Sequence, residues 1–390
     1  MTWQTKKLGE VCDVIAGQSP EGKYYNKICK GLPFYQGKKE FTEKFIGEPK
    51  IWTTRITKEA EKNDILMSVR APVGPINFAT QKICIGRGLA AIRTSKEIDV
   101  IFLFYFLKNF ESEIIGNHGA VFNSINKKQI EEIQIPLPSL SIQTRIVKIL
   151  DEAFAEIETA KKNAERNLRN AKELFESYLQ EIFNSKGDEW EEKKLGDIFQ
   201  IKPSKKEAKE KLKDNDLVSF LPMADLGISQ KDVIAKQERK LKEVSGSYTY
   251  FANEDVLLAK ITPCFENGKL GIVRNLKNGI GFGSSEYIVF RSKGEVVPDY
   301  LYYFLARNQF KKEGAKRMSG AVGHKRVSKG FIEESILLFP KSLTTQKQIV
   351  AKLDALSAST RKLEKNYQRK IDDLGELKKS VLKKAFEGEL

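Results

Sequence analysis

Residues 143–185 read QTRIVKILDEAFAEIETAKKNAERNLRNAKELFESYLQEIFNS and contain neither proline nor glycine. A stretch this long without a helix breaker predicts one continuous helix. Apolar residues recur in it with a period of seven, which is typical of a coiled coil rather than of a helix buried in a globular core. At 1.5 Å per residue, the helix would be roughly 60 Å long.

The sequence pattern of this helix recurs near the end of the chain. QTRIVKILD at 143–151 returns as QKQIVAKLD at 346–354, and LQEIF at 179–183 returns as LKKAF at 382–386. Because the first helix leaves one globular segment and enters the next, a second helix that pairs with it must run back, so the pair is antiparallel. The predicted core positions of this coiled coil are Leu150, Ile157, Ala164, Leu174, Leu353, Leu363, Leu374 and Val381.

The repeat extends through the globular segments. WQTKKLGEV at 3–11 returns as WEEKKLGDI at 190–198, and FYFL at 104–107 returns as YYFL at 302–305. IEEIQIPLP, which ends at Pro138, returns as IEESILLFP, which ends at Pro340. Matches in a constant order, with a slowly growing offset, indicate one framework used twice with loops of different length.

These patterns predict an α+β fold with a pseudo-two-fold internal repeat. Alternating runs such as 83–93 and 287–291 indicate strands, and the apolar clusters at 101–107 and 300–305 indicate buried helices. Two globular domains, each with a mixed β-sheet and helices, would be separated by the long antiparallel two-helix coiled coil. The predicted segments are 1–142 (first globular domain), 143–186 (first helix), 187–344 (second globular domain) and 345–390 (second helix).

The charge of the chain favours a polyanionic partner. The net charge is +15, and it is spread over both globular segments rather than over the first helix. Basic proteins bind nucleic acid by releasing counterions from phosphates. The longest strongly apolar stretch, 100–107, is too short to span a bilayer. The four cysteines are far apart, with no CxxC pair, and we expect a cytoplasmic protein without a disulfide framework.

Motifs of catalysis are missing from the sequence. It has no GxxxxGK[ST] phosphate-binding loop and no NPPY-type tetrapeptide of an amino-methyltransferase. The two histidines, His118 and His324, have no partner at metal-ligand spacing. The sequence therefore predicts a binding protein with no catalytic residue and no metal site. A nuclease or methyltransferase with an unrecognised site, and a coiled-coil scaffold that binds no DNA, stay open as alternatives.

Several motifs together resemble the specificity subunit of type I restriction-modification systems. They are GQSP at 17–20, GLPFYQGKKEF at 31–41, NDILMSVRAPVG at 63–74, IGRGLAAIR at 85–93 and IPLPSLSIQTRIVKIL at 135–150. DVLLAKITP at 255–263 and SLTTQKQIVAKL at 342–353 repeat the pattern. One departure is that the second hinge has only Pro340, where the first has Pro136 and Pro138. A specificity subunit of another multisubunit DNA methylation or defence system is a near alternative.

The resemblance implies that each globular domain is a target-recognition domain that reads one half of a split, asymmetric site in double-stranded DNA. The coiled coil would set the gap between the half-sites and dock two methyltransferase (modification) subunits. Two restriction subunits with motor activity would complete the complex. S-adenosylmethionine, ATP and magnesium would belong to those partners, and this chain would hold no cofactor.

Candidate DNA-binding residues follow from the chemistry of base recognition. Reading a base edge needs side chains with paired donors or acceptors on a fixed frame, while lysines position the phosphate backbone. The candidates in the first domain are Gln36, Lys38, Lys39, Arg70, Arg87 and Asn123. Those in the second domain are Lys260, Lys269, His324, Lys325 and Arg326.

Overall fold

The computed structural model describes residues 3–116, 124–185, 187, 189–228, 230–321 and 323–390, without the side chains of 112–116. The chain divides into two compact units. Unit 1 comprises Met1–Glu165 with Arg369–Leu390, and unit 2 comprises Arg166–Gln368. Both unit boundaries fall inside long helices, so each unit contains part of each helix.

Unit 1 begins with short strands and ends on the first long helix. Its elements in chain order are β1 (Thr5–Lys7), α1 (Leu8–Val11), β2 (Cys12–Ala16), β3 (Tyr25–Asn26), β4 (Leu32–Tyr35), β5 (Trp52–Thr53), β6 (Glu59–Ala60), β7 (Ile65–Ser68), β8 (Ile76–Phe78), β9 (Ile83–Ile85), β10 (Leu89–Thr94), α2 (Val100–Gly116), α3 (Lys127–Glu131), β11 (Gln134–Pro136) and α4 (Leu140–Asn184).

The sheets of unit 1 are stacked so that the central strands are buried on both faces. The first sheet has the order β2-β10-β7-β8 and the second has the order β3-β5-β4-β9-β6. Side chains alternate along a strand: Ile65 and Met67 of β7 lie in the core with α2, while Leu66 lies in a separate core with Tyr35 and Ile83 of the second sheet. Burial of both faces explains why ILM is an uninterrupted apolar run.

Unit 2 repeats this order. Its elements are β12 (Trp190–Lys194), α5 (Leu195–Ile198), β13 (Phe199–Ile201), α6 (Lys206–Lys211), β14 (Leu217–Leu221), β15 (Asp232–Val233), β16 (Gln237–Lys240), α7 (Leu241–Val244), β17 (Thr249–Ala252), β18 (Val256–Ala259), β19 (Leu270–Val273), β20 (Ile280–Gly283), β21 (Tyr287–Ser292), α8 (Pro298–Ala306), α9 (Asn308–Lys316), α10 (Lys329–Glu334), β22 (Ile336–Pro340) and α11 (Leu343–Glu387).

Strand pairing confirms the predicted repeat. The sheet β13-β21-β18-β19-β15 matches β2-β10-β7-β8, with one strand added at its edge. The parallel pair β14/β20 matches the parallel pair β4/β9, and the pair β12/β22 matches β1/β11. The fold is α+β with mixed sheets, as the sequence predicts.

The repeated motifs supply the same buried polar contacts in both units. The side chain of Gln143 at the start of α4 accepts a hydrogen bond from the amide of Asp99 at 2.8 Å and donates to the carbonyl of Pro138 at 2.8 Å. Gln346 in α11 accepts from the amide of Val297 at 2.9 Å and donates to the carbonyl of Pro340 at 2.8 Å. The second hinge therefore keeps this contact with its single proline.

The long helices pack together within each unit. In unit 1, Ile146 and Leu150 near the start of α4 share a core with Leu382 and Ala385 near the end of α11. In unit 2, the end of α4 and the start of α11 meet, as Leu179 and Leu353 share a core. Such pairing is antiparallel, in agreement with the sequence.

The predicted core positions of the helices agree with the structure only in part. Leu150, Ile157, Ala164 and Leu353 are buried, and Leu374 and Val381 are half-buried. Leu174 and Leu363, in contrast, have exposed fractions of 54% and 40% in this chain. Beside them, Phe175 and Glu364 are half-buried instead.

The difference has a physical cause in the spacing of the interior residues. From Ala171 onward the buried side of α4 advances in steps of four, to Phe175, Leu179 and Phe183, because the rings of Phe175 and Phe183 pack against tyrosine rings of α8. In α11, Ser357 and Thr360 are buried, whereas the predicted Leu363 is exposed. Leucine residues lie both inside the interface between the long helices and beside it, so hydrophobicity alone does not predict which of them face inward.

Candidate nucleic-acid interface

In unit 1, the loops at one end of the first sheet are held together by backbone hydrogen bonds. The amide of Gly17, just after β2, donates to Leu89 at 2.9 Å, and the amide of Val69, just after β7, donates to Gly88 at 3.0 Å. A Cβ atom on Gly17 would lie 2.2 Å from the carbonyl oxygen of Gly86, so only glycine permits this close approach. Segments from five different parts of the sequence meet at this edge, which we call edge 1 (residues 17–20, 36, 69–70, 86–88 and 124).

The structure brings three candidate residues of the first domain to edge 1. The hydroxyl of Ser19 donates to Oε1 of Gln36 at 2.9 Å and accepts from the amide of Arg87 at 3.2 Å. Arg70 forms an isolated β-bridge with Ser124. The side chains of Gln36, Arg70 and Arg87 are exposed.

The remaining candidates of the first domain lie outside this network. Lys38 and Lys39 belong to a one-turn 3₁₀ helix, Lys38–Glu40, that follows Gln36, and Lys39 is exposed. Asn123 falls outside the residues that the structure describes.

Unit 2 builds the same edge with the same backbone hydrogen bonds. The amide of Lys260 donates to Glu286 at 2.9 Å, as Val69 donates to Gly88, and the amide of Val327 donates to Lys260 at 2.9 Å, as Ile125 donates to Val69 at 3.0 Å. Arg326 forms a β-bridge with Ile261, as Ser124 does with Arg70. We call this place edge 2 (residues 202–204, 260–262, 284–286 and 324–326).

Side chains of edge 2 form a charged cluster that edge 1 lacks at the equivalent positions. The guanidinium of Arg326 donates to Glu286 through Nε at 3.0 Å and through Nη2 at 2.8 Å. The ammonium of Lys260 lies 3.9 Å from Oε2 of Glu286 and donates to the carbonyl of Ser285 at 2.9 Å. In the other unit, Val69, Gly88 and Ser124 occupy the places of Lys260, Glu286 and Arg326.

The pKa shifts in edge 2 follow from this packing. Burial lowers the pKa of Lys260, and the nearby Lys202 and Arg326 lower it further against the opposing effect of Glu286. The hydrogen bond from Arg326 lowers the pKa of Glu286, helped by the charge of Lys260. Burial thus works against the charged form of Lys260, while Arg326 and Lys260 both favour the ionised form of Glu286.

The other candidates of the second domain have separate positions. His324 and Lys325 are exposed in a hairpin closed by reciprocal hydrogen bonds between Ser319 and Arg326, and the amide of Thr262 donates to the carbonyl of Lys325 at 2.9 Å. Lys269 is not at the edge network: its ammonium donates to the carbonyl of Met223 at 2.7 Å and fastens an adjacent loop.

A cavity of about 460 Å³ opens beside edge 2. Its lining includes the side chains of Lys202, Ser204, Lys205, Tyr248 and Ser285. Hydroxyl and ammonium groups are the donors that proteins direct at phosphate oxygens. The surroundings of edge 2 are therefore suited to a nucleic-acid backbone.

Sequence reasoning missed Ser19, Lys202 and Glu286. The signal for Glu286 was present, because Gly88 precedes the strand LAAIR as Glu286 precedes YIVFR. Lys202 likewise follows the repeated KKLGDI motif at the distance at which Ile15 follows KKLGEV. Aligning the two halves strand by strand would have found both residues.

The described part of the chain contains no group of three or more His, Cys, Asp or Glu residues arranged to hold a metal ion. Among the helices described, none has both the length and the apolar character to cross a membrane.

Comparison with known proteins gives matches over both halves. The family model described as "Type I restriction modification DNA specificity domain" matches residues 1–166 and 187–373. A putative type I restriction enzyme MjaX specificity subunit from Methanocaldococcus jannaschii is 42% identical over 182 residues, which are 45% of this chain and 42% of that protein. The type I restriction enzyme EcoAI specificity subunit from Escherichia coli is 34% identical over 196 residues, 50% of this chain and 32% of that protein. The chain thus spans less than half the length of these two relatives.

Solved structures share the fold over the whole chain. A chain from a structure on complex assembly and conformational transition of the type I R-M system has a TM-score of 0.76 and 18% identity, and the match covers 100% of this chain and 98% of that one. The HsdS subunit from Thermoanaerobacter tengcongensis has a TM-score of 0.63 and 18% identity, with coverage of 100% and 97%.

Proposed function

The chain belongs to the type I restriction modification DNA specificity domain family, and from this membership we propose that it is the DNA-recognition subunit of a type I restriction-modification complex. It binds double-stranded DNA and catalyses no reaction itself. Each unit reads one half of a split site through its edge. Because edges 1 and 2 carry different side chains, the two half-sites differ and the whole site is asymmetric.

One observation carries this proposal. Edges 1 and 2 share their backbone hydrogen bonds, Val69 to Gly88 and Lys260 to Glu286, while the side chains at these positions differ completely. A fixed frame with variable side chains is what sequence-specific recognition needs, since the frame sets the position and the side chains choose the base.

The partners follow from the family rather than from the geometry. Two methyltransferase subunits dock on the long helices, which also set the gap between the half-sites, and two restriction subunits join the larger complex. S-adenosylmethionine, ATP and magnesium act on those subunits. We place the assembly in the cytoplasm, where the chromosome is accessible to it.

Methylation-aware sequencing of host DNA tests the proposal. With the gene intact, one split motif with methylated adenine is expected, and deletion of the gene should abolish methylation of that motif alone. Restoring the gene on a plasmid is the control and should bring the motif back. If deletion leaves every methylated motif unchanged although the methyltransferase subunit is expressed, the chain does not direct methylation and the proposal is wrong.

A further inference from the structure

We infer that Arg326 reads a guanine in the half-site bound by unit 2, and that Glu286 is the positioning residue that holds its guanidinium for this purpose. The inference rests on the proposed function and adds to it the base, the reading side chain and the residue that fixes it.

The hydrogen bonds of Arg326 leave one pair of donors free. A guanidinium has five N–H groups in a planar fork. Nε and one hydrogen of Nη2 are taken by the carboxylate of Glu286, and one hydrogen of Nη1 is taken by the carbonyl of His324 at 3.0 Å. One hydrogen on each terminal nitrogen has no partner among the described residues, and the side chain of Arg326 is 45% exposed. Two free donors at the end of a guanidinium that is held in place match in number the O6 and N7 acceptors of guanine.

Charge distinguishes a base from a phosphate as the ligand. A phosphate contact gains its energy from net positive charge and counterion release. The carboxylate of Glu286, less than 3.1 Å from Nε and Nη2 of Arg326, opposes its positive charge and would repel a phosphate placed against the guanidinium. A base edge is uncharged, so the carboxylate of Glu286 weakens its contact with Arg326 very little. The same carboxylate keeps the guanidinium in its orientation. Lys202, which is exposed on the same edge, is available for the phosphates.

The backbone also holds the reading group in place. Arg326 is anchored by two hydrogen bonds with Ser319, of 2.8 and 3.1 Å, and its neighbour Lys325 accepts from Thr262 at 2.9 Å. The side chain therefore projects from a hairpin fastened to the end of β18. In edge 1, Ser124 and Gly88 stand at the places of Arg326 and Glu286, so the guanine contact belongs to one half-site only.

The test uses the complex of this chain with its methyltransferase subunits and a duplex that carries the motif methylated in the wild-type host. Each guanine of the motif is replaced in turn by 7-deazaguanine, which lacks the N7 acceptor. One replacement, in one half-site, should weaken binding by the wild-type complex about tenfold, and the same replacement should have no effect on the Arg326→Ala complex.

Substitutions distinguish base recognition by Arg326 from a contact that depends only on its positive charge. Arg326→Lys keeps the charge without the fork, and we expect discrimination between G·C and the other pairs at that position to fall by roughly 10- to 100-fold, the range of one bidentate contact. Glu286→Gln should lower the same discrimination without changing which guanine is sensitive. Lys329→Ala, which removes an exposed cation three residues away from Arg326, is the matched control and should leave the discrimination unchanged.

The results that overturn the inference are distinct from those that overturn the proposed function. Uniform weakening of all duplexes by Arg326→Ala, with a shallower dependence on salt, would make Arg326 a phosphate contact. The absence of any guanine whose replacement is sensed through Arg326 would likewise end the inference, while the split motif would still support a specificity subunit. A wild-type complex that does not discriminate between DNA sequences would remove both.

Discussion

A buried glutamine ties the start of each long helix to its globular domain. Gln143 and Gln346 are both fully buried, and each joins a loop before the apolar helix to the carbonyl of the hinge proline. No apolar side chain can replace these side-chain amides, because the backbone groups to which they form hydrogen bonds have no access to water.

Replacing either glutamine by methionine should therefore destabilise its unit. Gln143→Met or Gln346→Met keeps the volume but leaves a buried amide and buried carbonyls unpaired, with an expected loss of about 2–4 kcal/mol in the free energy of unfolding. Urea denaturation followed by circular dichroism measures this loss. Gln134→Met, at an exposed position, is the control and should change stability by less than about 0.5 kcal/mol.

Glu207 gives unit 2 a stability that depends on pH. Hydrogen bonds from Lys211, and then from Arg291, lower its pKa from the ordinary value of 4.5 to about 2 against the opposing effect of burial. A carboxyl group with a lowered pKa in the folded state stabilises the fold above its unfolded pKa, and this contribution is lost as the pH falls.

We expect the contribution of Glu207 to be complete above about pH 5 and to disappear between about pH 4.5 and pH 2. Glu207→Gln should thus be less stable than the wild type at pH 7, with the difference shrinking toward pH 2. Thermal unfolding at a series of pH values measures it. A difference that stays constant over this range would show that the carboxylate of Glu207 is not engaged in the folded protein.

At the scale of the elements, the sequence predicted which helices and strands exist, and in what order, better than it predicted which of their residues face inward. The absence of Pro and Gly from 143–185 predicted the long helix, which the structure shows as Leu140–Asn184. The inward side of that helix was not fully predictable, because Leu174 and Phe175 are adjacent and equally apolar. The edges were harder still: Gly17, Gly88 and Val69 meet only because β10 lies between β2 and β7, an order that local patterns do not contain. The predicted division into recognition domains and helices, and the candidate DNA contacts themselves, stay predictions.

The register of α4 can be tested by paired substitutions. Ala171 is 5% exposed, so Ala171→Leu forces extra volume into a packed seam and should cost about 1–3 kcal/mol in the free energy of unfolding. Leu174→Ala, three residues on and 54% exposed, should cost less than about 0.5 kcal/mol in the isolated chain. Chemical denaturation of both variants decides between the two registers, since the seven-residue pattern with Leu174 inside predicts a large loss for Leu174→Ala.

At the scale of the whole molecule, the internal repeat combines one framework, used twice, with two edges that carry different side chains. The motifs that recur, such as QTRIVKILD and QKQIVAKLD, are those that build the hinges and helices. The positions that differ, such as Gly88 and Glu286, lie at the edges. Repetition is therefore greatest where the same partner would dock twice, and least where different bases would be read.

The long helices α4 and α11 each pass through both units, and if they set the gap between the half-sites, their length should be readable in the DNA. Seven residues inserted into each helix, for example after Ala164 in α4 and after Lys370 in α11, preserve the period of the seam and add about 10 Å of helix. We expect the methylated motif to keep both half-sites and to gain about two to three base pairs between them, because one base pair rises about 3.4 Å along the duplex. Methylation-aware sequencing of a host that expresses the lengthened chain with its methyltransferase measures the gap directly. An insertion into α4 alone is the control: it breaks the match between the helices and should abolish methylation. An unchanged gap in the doubly lengthened chain would mean that the spacing of the half-sites is fixed by the methyltransferase subunits and not by these helices.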